Sequence, residues 1–230
     1  MRTLIAVTTC HARRAYADAQ RATWAAGPNR PYLFKGLDAE VVFFVGGGSA
    51  EREDEVILDV DDSYRGLPAK VKVAMRWALD NSFDSVLKLD DDVYVVPSRL
   101  PDYRDYTNQY EGPGTNYVGN FRTHNGNYPY DYASGFCYWL GRSSVEAIAA
   151  APLTDDTMED RWVGTALALA RAKTYDEKRF CCSYPGIEEG KFLWGSPIGK
   201  THIAFAQYPI ERMYDLHHWY MIAFINNRGS

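Results

Sequence analysis

Residues 85–95 read Ser-Val-Leu-Lys-Leu-Asp-Asp-Asp-Val-Tyr-Val, so three consecutive carboxylates, Asp90, Asp91 and Asp92, stand between two apolar runs. The preceding run, Ser85 to Leu89, predicts a buried strand. Alternation along an extended chain points Asp90 and Asp92 to one side and Asp91 to the other. Carboxylates at the end of a strand suit a hard divalent cation, because such cations prefer oxygen ligands. We therefore expect a metal site able to neutralise a diphosphate, with a solvated acidic turn as the alternative.

Upstream of this stretch, predicted strands alternate with predicted helices. Apolar and β-branched runs predict strands at 3–9, 40–45 and 55–60, and helical spacing predicts helices at 12–26 and 67–79. Such alternation is typical of an α/β fold with a mainly parallel sheet. Ligands of open α/β sheets bind outside the carboxyl ends of the strands, which is where the acidic triplet falls.

The second half of the chain has a different composition. Residues 101–135 are rich in Tyr, Asn, Gly and Pro, which predicts loops. Further patterns predict strands at 117–121, 132–140 and 203–206, and helices at 143–151, 158–172 and 210–219. We expect a single domain in which residues 1–100 form a Rossmann-like nucleotide-binding half and residues 101–230 form an acceptor-binding half on the same sheet.

The composition narrows the class of protein. The 230 residues carry 25 Lys+Arg against 30 Asp+Glu, and 46% of them are hydrophobic, which excludes a disordered chain and a binder driven by bulk positive charge. We find neither a long apolar run nor a signal-peptide core, so we expect no membrane span and a cytoplasmic location in a microbe or virus. The four cysteines lack metal-binding spacing and are expected to be free thiols.

Several short motifs occur together in a recognisable order. They are Ala12-Arg13-Arg14 with Arg21-Ala22-Thr23-Trp24, Phe43-Phe44-Val45-Gly46, Asp61-Asp62-Ser63-Tyr64-Arg65-Gly66-Leu67 with Lys70, Leu87 to Val95, Tyr128-Pro129-Tyr130 with Ser134-Gly135, and Glu159-Asp160 with Gly164. In this order they resemble the β-1,3-galactosyltransferase and Fringe-type glycosyltransferases. The resemblance implies a GT-A fold and an inverting transfer of a hexose or related sugar from a UDP-sugar, aided by Mn²⁺ or Mg²⁺.

The resemblance also assigns roles to individual residues. It implies that Asp92 is a metal ligand and that the nucleotide pocket is formed by Thr8, Thr9, Arg14, Asp90 and Asp91, with Asp90 near the ribose. Family members commonly carry a late His as a second metal ligand. Here Gln207 takes that position before Met213-Tyr214, and its amide oxygen is a weaker ligand for a hard cation.

Inverting transfer is a single displacement, which needs a base for the acceptor hydroxyl and a partner for the departing diphosphate. By resemblance Asp160 is the base and Asp92 with its metal holds the diphosphate. Glu159 points about 100° away around the same helix. The alternative is that Glu159 and Asp160 only stabilise the start of a helix, because negative charge in the first turn interacts favourably with the helix dipole.

The acceptor remains open between a glycan and a hydroxymethylated base in viral DNA. The DNA alternative needs a basic groove, for which Arg13, Arg14, Arg30 and Lys35 are candidates. A different class is a sugar-binding module without turnover, which would need neither Asp92 nor Asp160. A metal-dependent phosphohydrolase is a further rival, but its usual nucleophile and metal-ligand clusters are not evident.

Overall fold

The described part of the chain contains ten strands and five α-helices. The structure is a computed structural model that describes residues 2–25, 37–103, 116–122, 129–182, 204–206 and 209–226. Its strands are β1 Arg2–Thr8, β2 Asp38–Gly46, β3 Glu55–Leu58, β4 Ser85–Asp90, β5 Tyr94–Val95, β6 Asn116–Arg122, β7 Tyr132–Gly141, β8 Lys173–Asp176, β9 Phe180–Cys182 and β10 Ala204–Ala206. Its α-helices are α1 Arg14–Ala22, α2 Leu67–Asp80, α3 Arg142–Ala150, α4 Glu159–Leu169 and α5 Ile210–Asn226.

The described strands form one large sheet and one small sheet. The large sheet has the order β3-β2-β1-β4-β7-β6-β8. β1 pairs in parallel with β2 and β4, whereas β7 runs antiparallel to β4 and β6. The small sheet has the order β5-β10-β9. The predicted α/β fold with a mainly parallel sheet is confirmed.

Both faces of the large sheet are covered by helices. In β1, Ile5 and Val7 pack into a cluster that includes residues of α1 and α5. Leu4 and Ala6 point to the opposite face and pack with residues of α2, α3 and α4. A strand buried on both faces reads as a continuous apolar run, which explains why β1 is evident in the sequence.

The first helix differs from its predicted span. A 3₁₀ turn at His11–Arg13 precedes α1, which ends at Ala22. The Thr23 hydroxyl donates to the Ala19 carbonyl at 2.7 Å, and the Thr23 backbone leaves the helical region at ψ −105°. The helix therefore ends at Ala22, before its predicted end at residue 26.

Two other elements also differ from the sequence patterns. β8 at Lys173–Asp176 was not predicted, because it lies at the sheet edge, where its exposed polar side chains show no apolar alternation. α5 continues past the predicted end at Trp219 to Asn226. Cys10 and Cys137 are free, as predicted, and Cys137 is buried. Among the described residues, no helix has the length and apolar character needed to cross a membrane.

Candidate active site

A cleft opens where β1 and β4 end side by side. In their parallel register Thr8 lies opposite Asp90, so the residues that follow the two strands meet at one edge of the sheet. The cleft has a volume of about 300 Å³. It is lined by residues 8–10 and Arg13, by residues 62–64 with Leu67 and Lys70, and by the acidic triplet.

All three residues of the triplet line this cleft. The prediction that Asp91 points to the side opposite Asp92 is wrong, because one guanidinium nitrogen of Arg13 donates to both carboxylates. The reason is that β4 ends at Asp90 and the chain turns, with the Val93 N–H donating to the Asp90 carbonyl at 3.3 Å. Strand alternation does not continue through a turn.

Asp90 is held by groups from two neighbouring strands. Its Oδ1 accepts a hydrogen bond from Lys88 Nζ at 2.6 Å and one from the Thr8 hydroxyl at 3.2 Å. The Asp90 side chain is 34% exposed, whereas that of Lys88 is fully buried. Asp90 therefore faces the cleft from a fixed position.

Arg13 contacts the other two carboxylates. Its Nη2 donates to Asp91 Oδ1 at 2.7 Å and to Asp92 Oδ2 at 3.3 Å. Asp91 also accepts from the Thr9 hydroxyl at 2.9 Å. Burial raises the pKa of Asp91, and the hydrogen bond from Arg13 opposes that shift. The same hydrogen bond raises the pKa of Arg13, so the guanidinium stays charged.

Arg13, and not the adjacent Arg14, therefore lies beside the acidic triplet. Arg14 is not among the residues that line the cleft. It pairs instead with Glu51, donates to the Ser49 carbonyl at 3.0 Å and lies 3.2 Å from Glu55. The two arginines are adjacent, and the 3₁₀ turn before α1 decides which one faces the triplet.

Side chains of α1 and of the residues just after it hold the acidic turn in place. Gln20 is fully buried, and its Nε2 donates to the carbonyls of Asp90 at 3.0 Å and Val93 at 2.8 Å. Trp24 Nε1 donates to the same Val93 carbonyl at 3.0 Å. Gln20 was not predicted as a site residue, whereas Trp24 lies in one of the sequence motifs named above.

Lys70 is buried and lines another part of the cleft. Lys70 Nζ donates to the Thr9 carbonyl and to Asp62 Oδ1, both at 2.7 Å. Asp62 also accepts from the backbone N–H of Gly46 at 2.7 Å and of His11 at 2.8 Å. Burial would raise the pKa of Asp62, but these donors outweigh it and the net shift is downward. Asp62 therefore stays ionised and keeps Lys70 beside the cleft.

Glu159 at the start of α4 points into the protein. It accepts a short hydrogen bond from the Tyr138 hydroxyl, and its Oε2 lies 3.5 Å from Lys88 Nζ. Burial raises the pKa of Glu159 to about 7, against the opposing attraction of Lys88 and the Tyr138 hydroxyl. Its oxygens are engaged by buried partners, which agrees with the prediction that Glu159 and Asp160 point in different directions.

Asp160 lies on the more open side of α4. Its Oδ1 accepts from the Arg161 N–H at 2.8 Å, and burial raises its pKa. Asp160 is not among the residues that line the cleft, but Tyr64 links the two regions. The Tyr64 hydroxyl donates to Met158 Sδ at 3.6 Å, and its pKa is raised by burial and then by the charge of Asp160. The start of α4 therefore adjoins the cleft across Tyr64.

Some predicted site residues lie outside the described part of the chain. Gln207 is one of them, and so are Arg30 and Lys35 of the suggested basic groove. The two described arginines of that groove, Arg13 and Arg14, are paired with carboxylates. Nothing in the described residues therefore supports a DNA-binding groove. Within those residues, no set of three or more His, Cys, Asp or Glu side chains is arranged to hold a metal ion.

Comparison with known proteins adds independent findings. A glycosyltransferase involved in glycosylation of the major capsid of PBCV-1 superposes with a TM-score of 0.54 at 13% identity, over 96% of this chain and 100% of that one. An active-site mutant, Q189E, of LgtC superposes with a TM-score of 0.54 at 14% identity, over 93% of this chain and 94% of that one. At these identities the likeness establishes the fold, and it confirms the GT-A prediction.

The sequence comparisons match part of the chain. The model of the galactosyltransferase family matches residues 18–125. The mouse (Mus musculus) UDP-GalNAc:beta-1,3-N-acetylgalactosaminyltransferase 2 is 46% identical over 48 residues, which are 20% of this chain and 10% of that enzyme. Residues 18–125 therefore match the galactosyltransferase family, and the fold is that of GT-A glycosyltransferases. The family match confirms the resemblance to the β-1,3-galactosyltransferases.

Proposed function

We propose that the protein transfers a hexose or related sugar from a UDP-sugar to an acceptor hydroxyl on a glycan, with inversion at the anomeric carbon. The observation that carries this proposal is the meeting of β1 and β4 in one cleft. There the hydroxyls of Thr8 and Thr9 and the guanidinium of Arg13 surround the acidic triplet, and α4 with Asp160 begins beyond Tyr64.

The cleft has the groups that a nucleotide diphosphate needs. Arg13 and Lys70 bring positive charge to a lining that also holds Asp90, Asp91 and Asp92. Arg13 is the more available of the two cations, because its side chain is 42% exposed whereas Lys70 is buried. In this proposal Asp90 accepts hydrogen bonds from the ribose, and Arg13 exchanges part of its contact with the triplet for the diphosphate.

A divalent cation fits this cleft through one protein ligand. Asp92 lines the cleft with a side chain that is 25% exposed, whereas Asp91 is buried against Arg13 and Thr9. Mg²⁺ commonly binds through one or two carboxylates together with substrate phosphates. Asp92 would hold Mn²⁺ or Mg²⁺ in this way, with Gln207 as the candidate second ligand. The ion would neutralise charge that builds up on the departing diphosphate.

Asp160 is the proposed base. Burial raises its pKa, which makes its carboxylate a better proton acceptor. Glu159 does not fit this role, because the Tyr138 hydroxyl and Lys88 engage its oxygens. The acceptor hydroxyl would lose its proton to Asp160 as its oxygen attacks the anomeric carbon and the bond to the UDP oxygen breaks.

Product analysis with a panel of UDP-sugars tests this proposal. The protein is incubated with each donor, with and without oligosaccharide acceptors, and with Mn²⁺ or a chelator. We expect one donor to be consumed, UDP to be released, and NMR of the product to show the anomeric configuration opposite to that of the donor. Retention of configuration would contradict the single displacement, and no transfer or donor hydrolysis with any UDP-sugar would contradict the donor class.

A further inference from the structure

Lys88 joins three elements beneath the proposed active site. Its fully buried Nζ donates to Asp90 Oδ1 and to the Gly135 carbonyl, both at 2.6 Å. It also lies 3.5 Å from Glu159 Oε2. The end of β4, the middle of β7 and the start of α4 therefore meet at one ammonium group.

The backbone at Gly135 packs closely against the start of α4, next to Lys88. A Cβ added at Gly135 would stand 2.9 Å from Glu159 Oε2 and 3.4 Å from the Asp160 Cβ. Glycine at this position lets the first turn of α4 approach β7 until Glu159 reaches both Lys88 and Tyr138. Glu159, with Asp160 beside it, is thereby linked through Lys88 to β4, the strand that ends at Asp90.

A buried ammonium is costly to keep in a protein core. Desolvation costs several kcal/mol per ion, and an apolar side chain of similar volume often stabilises such a site as well or better. Lys88 does not line the cleft, so direct contact with the donor does not explain it. Its distinguishing property is that it contacts a carboxylate on each side of the site.

We propose that Lys88 is a positioning residue that holds Asp90 on the donor side and Glu159, with the adjacent Asp160, on the acceptor side in one spatial relation. This inference rests on the proposed function, in which Asp90 contacts the nucleotide and Asp160 takes the acceptor proton. Lys88 acts through these carboxylates and touches neither substrate. A misplacement of about 1 Å at a reacting group costs roughly 10²-fold in rate, so the loss of this link should appear in kcat.

The test replaces both partners of the buried pair, Lys88→Met with Glu159→Gln, so that no uncompensated charge remains in the core. Met fills a volume similar to that of Lys without its charge. We expect a cooperative melting transition to be retained. UDP affinity should fall by about tenfold or less, because Thr8 still donates to Asp90. The kcat per UDP-binding site should fall by roughly 10²-fold, whereas donor KM should rise by about tenfold or less.

Glu159→Gln alone isolates the contribution of Lys88, because Lys88 keeps its bonds to Asp90 and Gly135 and the Gln amide oxygen can still accept from it. We expect that single variant to retain kcat within about tenfold of wild type. Adding the double substitution to Asp160→Asn should cost little further activity, because residues that act through one group are not additive. A merely structural lysine would lower stability without this dependence on Asp160.

Two results would overturn the proposal. One is a folded double variant whose kcat lies within about threefold of the Glu159→Gln control, or whose loss is fully additive with Asp160→Asn. The other is loss of UDP binding together with the melting transition, which would assign Lys88 to the core alone. Failure of the proposed function is distinct, because it would appear as absent transfer by the wild type or as near-normal turnover by Asp160→Asn.

Discussion

Thr8 lies opposite Asp90 in the parallel register of β1 and β4, and its hydroxyl donates to Asp90 Oδ1 at 3.2 Å. The two residues are 82 positions apart in the chain. This pairing aligns the ends of the two strands, so that Thr9 and Arg13 reach Asp91 directly. The chemistry proposed for the cleft depends on this register, because a shift by one residue would turn these side chains to the other face.

Replacement of Asp160 by Asn should separate catalysis from donor binding. The change keeps the size of the side chain but removes the proton acceptor, so turnover should fall by roughly 10²- to 10⁴-fold. UDP affinity should be retained, because Asp160 does not line the nucleotide cleft. Turnover and melting temperature are measured together. If Asp160 only favours the helix start, the variant will instead lose about 1 kcal/mol of stability and keep its activity.

Replacement of Asp92 by Ala should abolish the effect of metal on UDP binding. Isothermal calorimetry with Mn²⁺ and with chelator measures UDP affinity in wild type and variant. We expect tighter binding with Mn²⁺ in the wild type and equal affinities in the variant. Equal affinities in the wild-type protein would remove the metal role from Asp92 and leave charge neutralisation to Arg13 and Lys70.

Arg13 and Arg14 form a pair of adjacent residues with different expected effects. Arg13→Ala should weaken UDP binding by about 10- to 100-fold, the usual value of a hydrogen bond to a charged group. Arg14→Ala should leave UDP affinity unchanged and lower the melting temperature, because it deprives the buried Glu55 of one of its partners. The opposite pattern would return Arg14 to the nucleotide pocket.

Glu159 should make the stability of the fold depend on pH. Its pKa is raised from 4.5 to about 7 in the folded protein. Between these values the folded protein retains a proton that the unfolded chain loses. The stabilisation is therefore complete below about pH 4.5 and is lost as the pH rises through 7. The expected loss is ~3 kcal/mol as an order of magnitude, at about 1.4 kcal/mol per pKa unit.

Urea unfolding between pH 4.5 and pH 8 measures this dependence. Glu159→Gln should flatten the curve over that interval, whereas Glu146→Gln, a change in an exposed ion pair on α3, should leave it unchanged. Identical slopes in wild type and Glu159→Gln would mean that Glu159 is ionised in the folded protein at every pH in this range.

Much of the fold was predictable because its signals are local. β1 and β4 are short apolar runs, and α2 shows a single apolar face, so each element is encoded by neighbouring residues. β8 lacked such a signal because an exposed edge strand needs no apolar alternation. The division into nucleotide and acceptor halves remains a prediction.

The sequence by itself determined that three carboxylates follow a buried strand and that an acidic pair opens a later helix. Only the tertiary structure decided that Arg13 faces the triplet, that Gln20 holds its turn, and that Lys88 lies between Asp90 and Glu159. Periodicity places a side chain on a face of its own element. It carries no information about contacts across 70 residues of chain, such as that from Gln20 to Asp90, because those contacts depend on strand register and on how helices pack over the sheet.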